Sequence, residues 1–212
     1  MGLDLGQAVN HTTPRGRRAP LAPATVDEFN ASGGRGYQGE HRHTVVGADR
    51  LALGTPYPRV VDWVRTRASE YSKSLKAIVV DATGLGSAVM DLFQEARLDA
   101  RVIGVQITGA APNGVHGGSR PTPSGYQSLA RMELLTSLQV AIQTERIQIS
   151  MSRCREWEIL IRELENLRFE GKTRGTQDDL AFALALAVWW GMKEPAPLLP
   201  QSSLDQARFA SK

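Results

Sequence analysis

Aspartates stand at the ends of three apolar segments of this sequence. Asp4 lies among apolar neighbours in GLDLGQ, and Asp81 closes the apolar run AIVVD. Asp178 and Asp179 directly precede LAFALALAVWWGM, the most apolar segment of the chain. Because carboxylates are costly to remove from water, acids placed beside buried segments need a compensating partner.

Divalent metal ions would be such a partner. Two carboxylates about 4 Å apart repel by about 4 kcal/mol at an effective dielectric constant near 20, so a cluster of them requires neutralisation. If Asp4, Asp81 and Asp178 converge with Asp179 nearby, their oxygen ligands select Mg²⁺ or Mn²⁺. No histidine or cysteine stands beside them, which disfavours zinc. Two ions about 3.5–4 Å apart would activate water and stabilise the leaving oxygen of a phosphodiester.

Each aspartate also has a purely structural interpretation. Thr176 and Asp179 have capping-box spacing, with Thr176 as the N-cap of the last helix. Both Asp178 and Asp179 would be stabilised near the positive end of that helix dipole. An aspartate at a strand end is often a turn residue. Three acids that each adjoin a buried element nevertheless favour one shared site.

Composition restricts the class of protein. The chain has 212 residues, 42% of them hydrophobic and 22% charged, which suffices for one substantial core. Its net charge of +3 permits a polyanionic partner without requiring one. The single cysteine, Cys154, excludes a disulfide framework or thiolate metal cage within one chain and suits a reducing cytoplasm. The apolar run at 180–192 is too short for a bilayer, and no signal peptide is recognisable, so we expect a core helix.

The hydrophobic pattern predicts alternating strands and helices. Strands are expected at 2–7, 42–53 (with a turn at Gly47), 76–84, 100–109 and 146–150, and helices at 58–74, 87–98, 126–144, 153–167 and 177–193. The order strand–helix–strand over 76–109 implies parallel pairing with a right-handed crossover. Long loops are expected at 14–40 and 110–125, and a poorly ordered tail at 195–212, which leaves one domain at 1–194. His41 and His43 are expected on the surface.

Four pieces of the sequence, in this order, resemble the nuclease domain of phage terminase large subunits, which has the ribonuclease H-like fold. The pieces are GLDLGQ, VVDATGLGSAVMDLF, LLTSLQVAIQTERIQI and QDDLAFALALAVWW. They extend over 2–190, most of the chain. The second and fourth pieces are specific, whereas the first is weak by itself. The resemblance implies an α/β fold with a mixed central sheet flanked by helices.

The resemblance also implies a function. Acids at these positions in the family bind two metal ions, Mg²⁺ or Mn²⁺, and cut concatemeric double-stranded viral DNA during genome packaging. Carried over, Asp4 and Asp81 become central ligands, Asp178 the third ligand, and Asp179 a nearby helper. The implied partners are double-stranded DNA, an ATPase domain upstream in a larger chain, a small terminase subunit and a portal protein, in the host bacterial cytoplasm and without a membrane.

Basic residues that could contact DNA are Arg120, Arg131, Lys172 and Arg174. The segment containing Lys172 does not form a phosphate-binding loop, because Asn166 stands where the first glycine of G-x-x-x-x-G-K-[ST] belongs. The sequence also departs from the family pattern after its first motif. There the stretch 10–40, rich in Pro, Gly and Arg, precedes the next predicted strand, and Asp4 lies close to Met1. We therefore expect a fragment of a larger protein or a diverged gene.

Three alternative functions remain open. A Holliday-junction-resolvase-like nuclease would share the fold and the metals but would prefer four-way junctions. An ATP-binding domain related to actin and sugar kinases would use LDLGQ and VDATG as phosphate loops, and it would hydrolyse ATP without cutting DNA. A catalytically inactive DNA-binding module would bind duplex DNA without cleavage.

Overall fold

A computed structural model describes residues 1–4, 22–30, 41–52, 54–71, 75–84, 86–109, 120–121, 126–152, 154–168 and 178–193, with the backbone alone at 2–4, 22–30, 41–42, 86–87 and 120–121. Its strands are β1 (Gly2–Asp4), β2 (Ala22–Asn30), β3 (His41–Ala48), β4 (Ala77–Asp81), β5 (Arg101–Thr108), β6 (Arg120–Pro121), β7 (Gln127–Ala130) and β8 (Ile147–Ile149). Its helices are α1 (Tyr57–Glu70), α2 (Gly86–Glu95), α3 (Arg131–Gln143), α4 (Trp157–Asn166) and α5 (Asp179–Lys193). Within these ranges, every helix is too short or too polar to cross a membrane.

The strands form one mixed sheet in the order β6-β7-β5-β4-β1-β2-β3-β8. Strands β1, β4, β5 and β7 are mutually parallel, so their carboxyl ends lie at the same edge of the sheet. Strand β2 runs antiparallel to both β1 and β3, while β3 and β8 are parallel. This is the predicted mixed sheet, and the predicted parallel pairing of β4 with β5 is confirmed.

Helices cover both faces of the sheet because its central strands are apolar on both sides. In β4, Ala77 and Val79 belong to a core cluster with α3, α4 and α5. The alternate residues Ile78 and Val80 belong to a second cluster with α1 and α2. A strand buried on both faces is typical of parallel sheets enclosed by helices, and side-chain alternation explains the division.

Helix α5 is buried around nearly its whole circumference. Ten consecutive residues from Asp179 to Val188 are buried, and Trp189 is 2% exposed. A helix that is apolar on all sides is stable only inside a protein or a membrane. Packing of α5 against the sheet and between α3 and α4 therefore confirms the predicted core helix.

Two of the predicted loops contain strands, so those parts of the prediction are wrong. Residues 22–30 form β2 within the expected loop at 14–40, and residues 120–121 form β6 within the expected loop at 110–125. In APATVDEFN the apolar alternation of Ala22, Ala24 and Val26 is short and stops at the acidic pair Asp27 and Glu28, and β2 is paired on both sides by β1 and β3. The domain limits and the tail at 195–212 stay predictions, since the tail lies outside the described residues.

Further boundaries differ where pairing overrides local pattern. Residues 127–130, expected as helix, form β7 because they pair with β5 on one side and β6 on the other. Gly47 continues β3 instead of turning the chain, next to a bulge at Val46 of β3, opposite Thr25 and Val26 of β2. His43, expected on the surface, is instead fully buried on β3. The side chain of His41 lies outside the description.

The close approach of β5 to the start of β7 gives a test of the packing. A Cβ atom at Gly104 would lie 2.7 Å from Cδ1 of Tyr126 and 3.1 Å from Cε of Met90. We expect Gly104→Ala to lower the free energy of unfolding by about 1–3 kcal/mol, because one of these side chains must move. The control is Gly109→Ala, where a Cβ would meet nothing within 4 Å. Urea denaturation that gives equal stabilities for the two variants would contradict this packing.

Candidate functional site

The register between β1 and β4 brings two of the predicted acids to one level of the sheet. Gly2 pairs with Val79 and Leu3 with Val80, so the next position aligns Asp4 with Asp81. Neighbouring strands lie about 4.8 Å apart, which sets the spacing of the two backbones. Both aspartates end their strands, at the edge where ligands gather in open α/β sheets.

The turn after β4 fixes the Asp81 carboxylate. The backbone N–H of Thr83 donates to Oδ1 of Asp81 at 2.8 Å. The Thr83 hydroxyl oxygen in turn accepts from the backbone N–H of Ile107 at 2.8 Å, which ties the turn to β5. Gly84 then has φ 73°, a left-handed conformation that glycine adopts without steric cost, and the chain enters α2. Asp81 is therefore held in place and remains half-buried.

Asp81 lies on the face of the sheet that α5 covers. Side chains alternate along a strand, so Asp81 shares the side of Ala77 and Val79, whose cluster contains α5. The following residue, Ala82, belongs to the opposite cluster. The strand-end aspartate and the helix that begins with two further aspartates thus occupy the same side of the sheet.

Arg131 places the start of α5 at the same edge of the sheet. It is the first residue of α3 and follows β7 directly, so it lies at the carboxyl ends of the parallel strands. Its Nη2 is 3.8 Å from Oδ2 of Asp178, which immediately precedes α5. The guanidinium also lies 4.4 Å from the ring centroid of Phe182 and donates to the carbonyl of Arg168 at 3.3 Å.

Asp178 and Asp179 differ in environment. The side chain of Asp178 is 31% exposed and faces Arg131, whereas Asp179 is buried as the first residue of α5. The first hydrogen bond of α5 runs from the N–H of Phe182 to the carbonyl of Asp178 at 2.9 Å, which makes Asp178 the N-cap. The expected capping box with Thr176 as N-cap is therefore two residues out of register, and Thr176 lies outside the described residues.

A glutamate that sequence analysis missed accepts a hydrogen bond from the first turn of α5. Oε2 of Glu163, on α4, accepts from the backbone N–H of Ala181 at 3.0 Å, and Oε1 forms an ion pair with Arg50. Glu163 is 5% exposed. Its signal in the sequence is its position three residues after Leu160 on the apolar stripe of an amphipathic helix, where a carboxylate needs a buried partner.

The described side chains do not by themselves complete a metal site. Among them, no three His, Cys, Asp or Glu residues form a group that could hold a metal ion. Asp4, which the register would align with Asp81, has its side chain outside the description, so its role as a ligand stays a prediction. The predicted ligands at the edge are all aspartates, so their donor atoms are oxygen only. The thiol of Cys154 is buried, and burial, followed by the charge of Asp49, raises its pKa.

The four basic residues expected to contact DNA have different outcomes. Arg131 lies at the edge, in contact with Asp178, as described above. Arg120 belongs to β6 and is described by its backbone alone. Lys172 and Arg174 lie outside the described residues. DNA binding by all four stays a prediction.

Comparison with solved structures identifies the fold. The chain resembles the nuclease domain of human cytomegalovirus terminase with a TM-score of 0.55 and 13% identity, over 88% of this chain and 80% of that one. The manganese-soaked form of that domain gives 0.52 and 13%, over 89% and 80%. This chain has the terminase nuclease fold. The K428A mutant nuclease domain of the large terminase subunit gp2 of bacterial virus Sf6, with manganese and beta-thujaplicinol, gives 0.52 and 13%, over 82% and 89%.

The terminase nuclease fold agrees with the ribonuclease H-like mixed sheet expected from the sequence. No protein-family model and no curated protein sequence matches the chain. At 13% identity, the likeness concerns the path of the backbone. Likeness at this level does not assign roles to individual residues of this chain.

Arg131 offers a test of how the start of α5 is held. We expect Arg131→Met to lower the free energy of unfolding by about 1 kcal/mol, because the guanidinium loses its contact with the Phe182 ring and a partly exposed ion pair. Arg162→Met is the control, since Arg162 is exposed on α4. Urea denaturation of both variants decides the matter, and an equal effect of the two substitutions would contradict the proposed anchoring.

Proposed function

We propose that this protein is a metal-dependent endonuclease that hydrolyses double-stranded DNA, and that it acts in viral genome packaging. The observation that supports the proposal is the parallel register of Gly2 with Val79 and Leu3 with Val80, which would align Asp4 with Asp81 at the carboxyl edge of the sheet. The start of α5 brings Asp178 to the same edge through Arg131. The terminase nuclease fold supports the same function. Two of the similar solved structures, the soaked cytomegalovirus domain and the Sf6 domain, contain manganese.

The donor atoms suit magnesium or manganese. In this proposal Asp4, Asp81 and Asp178 hold two divalent cations through carboxylate oxygens, the ligands that hard cations prefer. Bound there, the cations would supply the nucleophile and stabilise the leaving oxygen in phosphodiester hydrolysis. Asp81 contributes a carboxylate already oriented by the Thr83 amide. Asp179, buried as the first residue of α5 beside Asp178, keeps its proposed role as a nearby helper of the site.

Arg131 and the proposed partners extend this function. Arg131 lies beside Asp178, so in this proposal its guanidinium can contact a DNA phosphate that enters the edge, and Arg120, Lys172 and Arg174 remain further candidates. Phosphate contacts would make DNA binding fall steeply with salt concentration. An ATPase domain, a small terminase subunit and a portal protein are the proposed partners in packaging, in the host bacterial cytoplasm.

The acids provide a direct test. We expect the protein to linearise supercoiled plasmid with Mn²⁺ or Mg²⁺ and to lose this activity in EDTA. Asp81→Asn and Asp178→Asn should each lower the cleavage rate about 100-fold or more, since loss of an outer-shell partner alone costs 10–100-fold. Asp91→Asn is the control, because Asp91 is exposed on α2, whose apolar residues pack on the opposite face of the sheet.

Two further substrates separate the alternatives in the same assay. Preference for a four-way junction over linear duplex would favour a resolvase, and ATP hydrolysis without DNA cleavage would favour a kinase-like domain. If the Asp81→Asn variant and the Asp178→Asn variant both still cleave DNA at the wild-type rate, the proposed site is wrong. Duplex binding without cleavage in either metal would identify an inactive DNA-binding module.

A further inference from the structure

The first turn of α5 is capped from outside its own sequence. The leading amides of a helix have no partner one turn earlier, and an N-cap side chain usually accepts from the second or third of them. With Asp178 as N-cap, the third helical residue is Ala181. Its N–H donates to Glu163 of α4, at 3.0 Å from Oε2. A neighbouring helix thus supplies the hydrogen bond that an N-cap aspartate would ordinarily make.

Both carboxylate oxygens of Glu163 contact another residue. Its side chain is 5% exposed, and its second oxygen pairs with Arg50, which is 16% exposed and follows β3 by two residues. A buried carboxylate is tolerated only when its oxygens have charged or hydrogen-bonding partners. The pair therefore joins α4, α5 and the end of β3 at one point, and it fixes the acceptor that Ala181 uses.

The Asp178 carboxylate is consequently directed elsewhere. Its charged neighbour among the described residues is Arg131, at 3.8 Å, and the Asp178 side chain retains 31% exposure. An aspartate that capped its own helix would have one oxygen directed at the Leu180 or the Ala181 amide. Here Glu163 occupies the Ala181 amide, and the Asp178 carboxylate contacts Arg131, at the edge of the sheet where Asp81 ends β4.

We propose that Glu163 is a positioning residue: it caps α5 in place of Asp178 and so leaves the Asp178 carboxylate available to bind a divalent cation. The capping role of Glu163 follows from its own contacts alone. Its effect on cation binding rests on the proposed function. The competing interpretation is that the Arg50–Glu163 pair only attaches α4 to the sheet and has no influence on Asp178.

The capping is tested without metal, by amide hydrogen exchange at Ala181 followed by NMR. We expect Asp178→Ala to leave this exchange rate within about twofold of wild type, because Glu163 holds the amide. In a Glu163→Leu background, Asp178 becomes the cap, and Asp178→Ala should then raise exchange about fivefold, the effect of losing an N-cap side chain. In a Glu163→Gln background, whose amide oxygen still accepts, Asp178→Ala should again have little effect.

The decisive measurement is hydrogen exchange in the Asp178→Ala variant. This substitution does not disturb the core, because Asp178 is partly exposed. If Asp178→Ala alone raises exchange at Ala181 about fivefold or more, Asp178 is the cap and the proposal is overturned. A failure of Glu163→Leu to fold therefore leaves the Asp178→Ala and Glu163→Gln measurements to decide.

The effect on the cation is measured by titrating Mn²⁺ and following water-proton relaxation. We expect Glu163→Leu to weaken Mn²⁺ binding 10–100-fold, the usual cost of losing an outer-shell partner. Glu163→Gln should stay within about threefold, because it keeps the acceptor while losing the charge. Glu165→Leu, on the exposed side of the same helix, is the matched control.

The outcomes separate the two proposals. Equal weakening by Glu163→Leu and Glu163→Gln would mean that charge, not capping, is what matters, and would overturn the positioning role. A wild-type protein that neither binds Mn²⁺ nor cuts DNA would end the proposed function. In that case the exchange rates at Ala181 still decide whether Glu163 caps α5.

Discussion

Parallel pairing of β1 with β4 is the contact on which the rest of this structure depends. β1 has only three residues, yet it lies between β4 and β2 in the middle of the sheet. The N–H of Val79 donates to the carbonyl of Met1 at 2.7 Å and sets the register. A slip of one residue would separate Asp4 from Asp81 and exchange the faces of the strand. Burial of β4 on both faces, through Ile78 on one side and Val79 on the other, makes such a slip costly.

Charges of alternating sign surround the first turn of α5, which explains how acids are tolerated at the start of a buried helix. The positive end of the helix dipole faces Glu163 on one side and Asp178 on the other. Beyond them lie Arg50 and Arg131, each beside its acidic partner. Each carboxylate therefore has a positive group within reach, which offsets part of the cost of removing it from water.

The sequence predicted the elements whose residues carry a continuous apolar pattern and missed those defined by their neighbours. The run AIVVD and the helix at 179–193 were recognisable because almost every residue in them is apolar. Strand β2 was not, because its apolar alternation ends at Val26, before the acidic pair Asp27 and Glu28, and because it is stabilised by strands on both sides. Asp4 and Asp81 do end strands β1 and β4, but their alignment depends on strand register, which a single sequence does not reveal. Sequence analysis missed the role of Glu163 because its partners, Arg50 and the Ala181 amide, are distant in sequence.

The edge of the sheet combines one rigid acid with one adjustable acid. The Asp81 carboxylate accepts from the Thr83 amide at 2.8 Å, within a turn that is itself bonded to β5. Asp178 instead meets Arg131 at 3.8 Å, beyond the roughly 2.7–2.9 Å of a charge-assisted hydrogen bond. Among the described residues, Arg131 also contacts the Phe182 ring and the Arg168 carbonyl, so it has anchors besides Asp178. The guanidinium could therefore release Asp178 and keep its own place, as the proposed cation site would require.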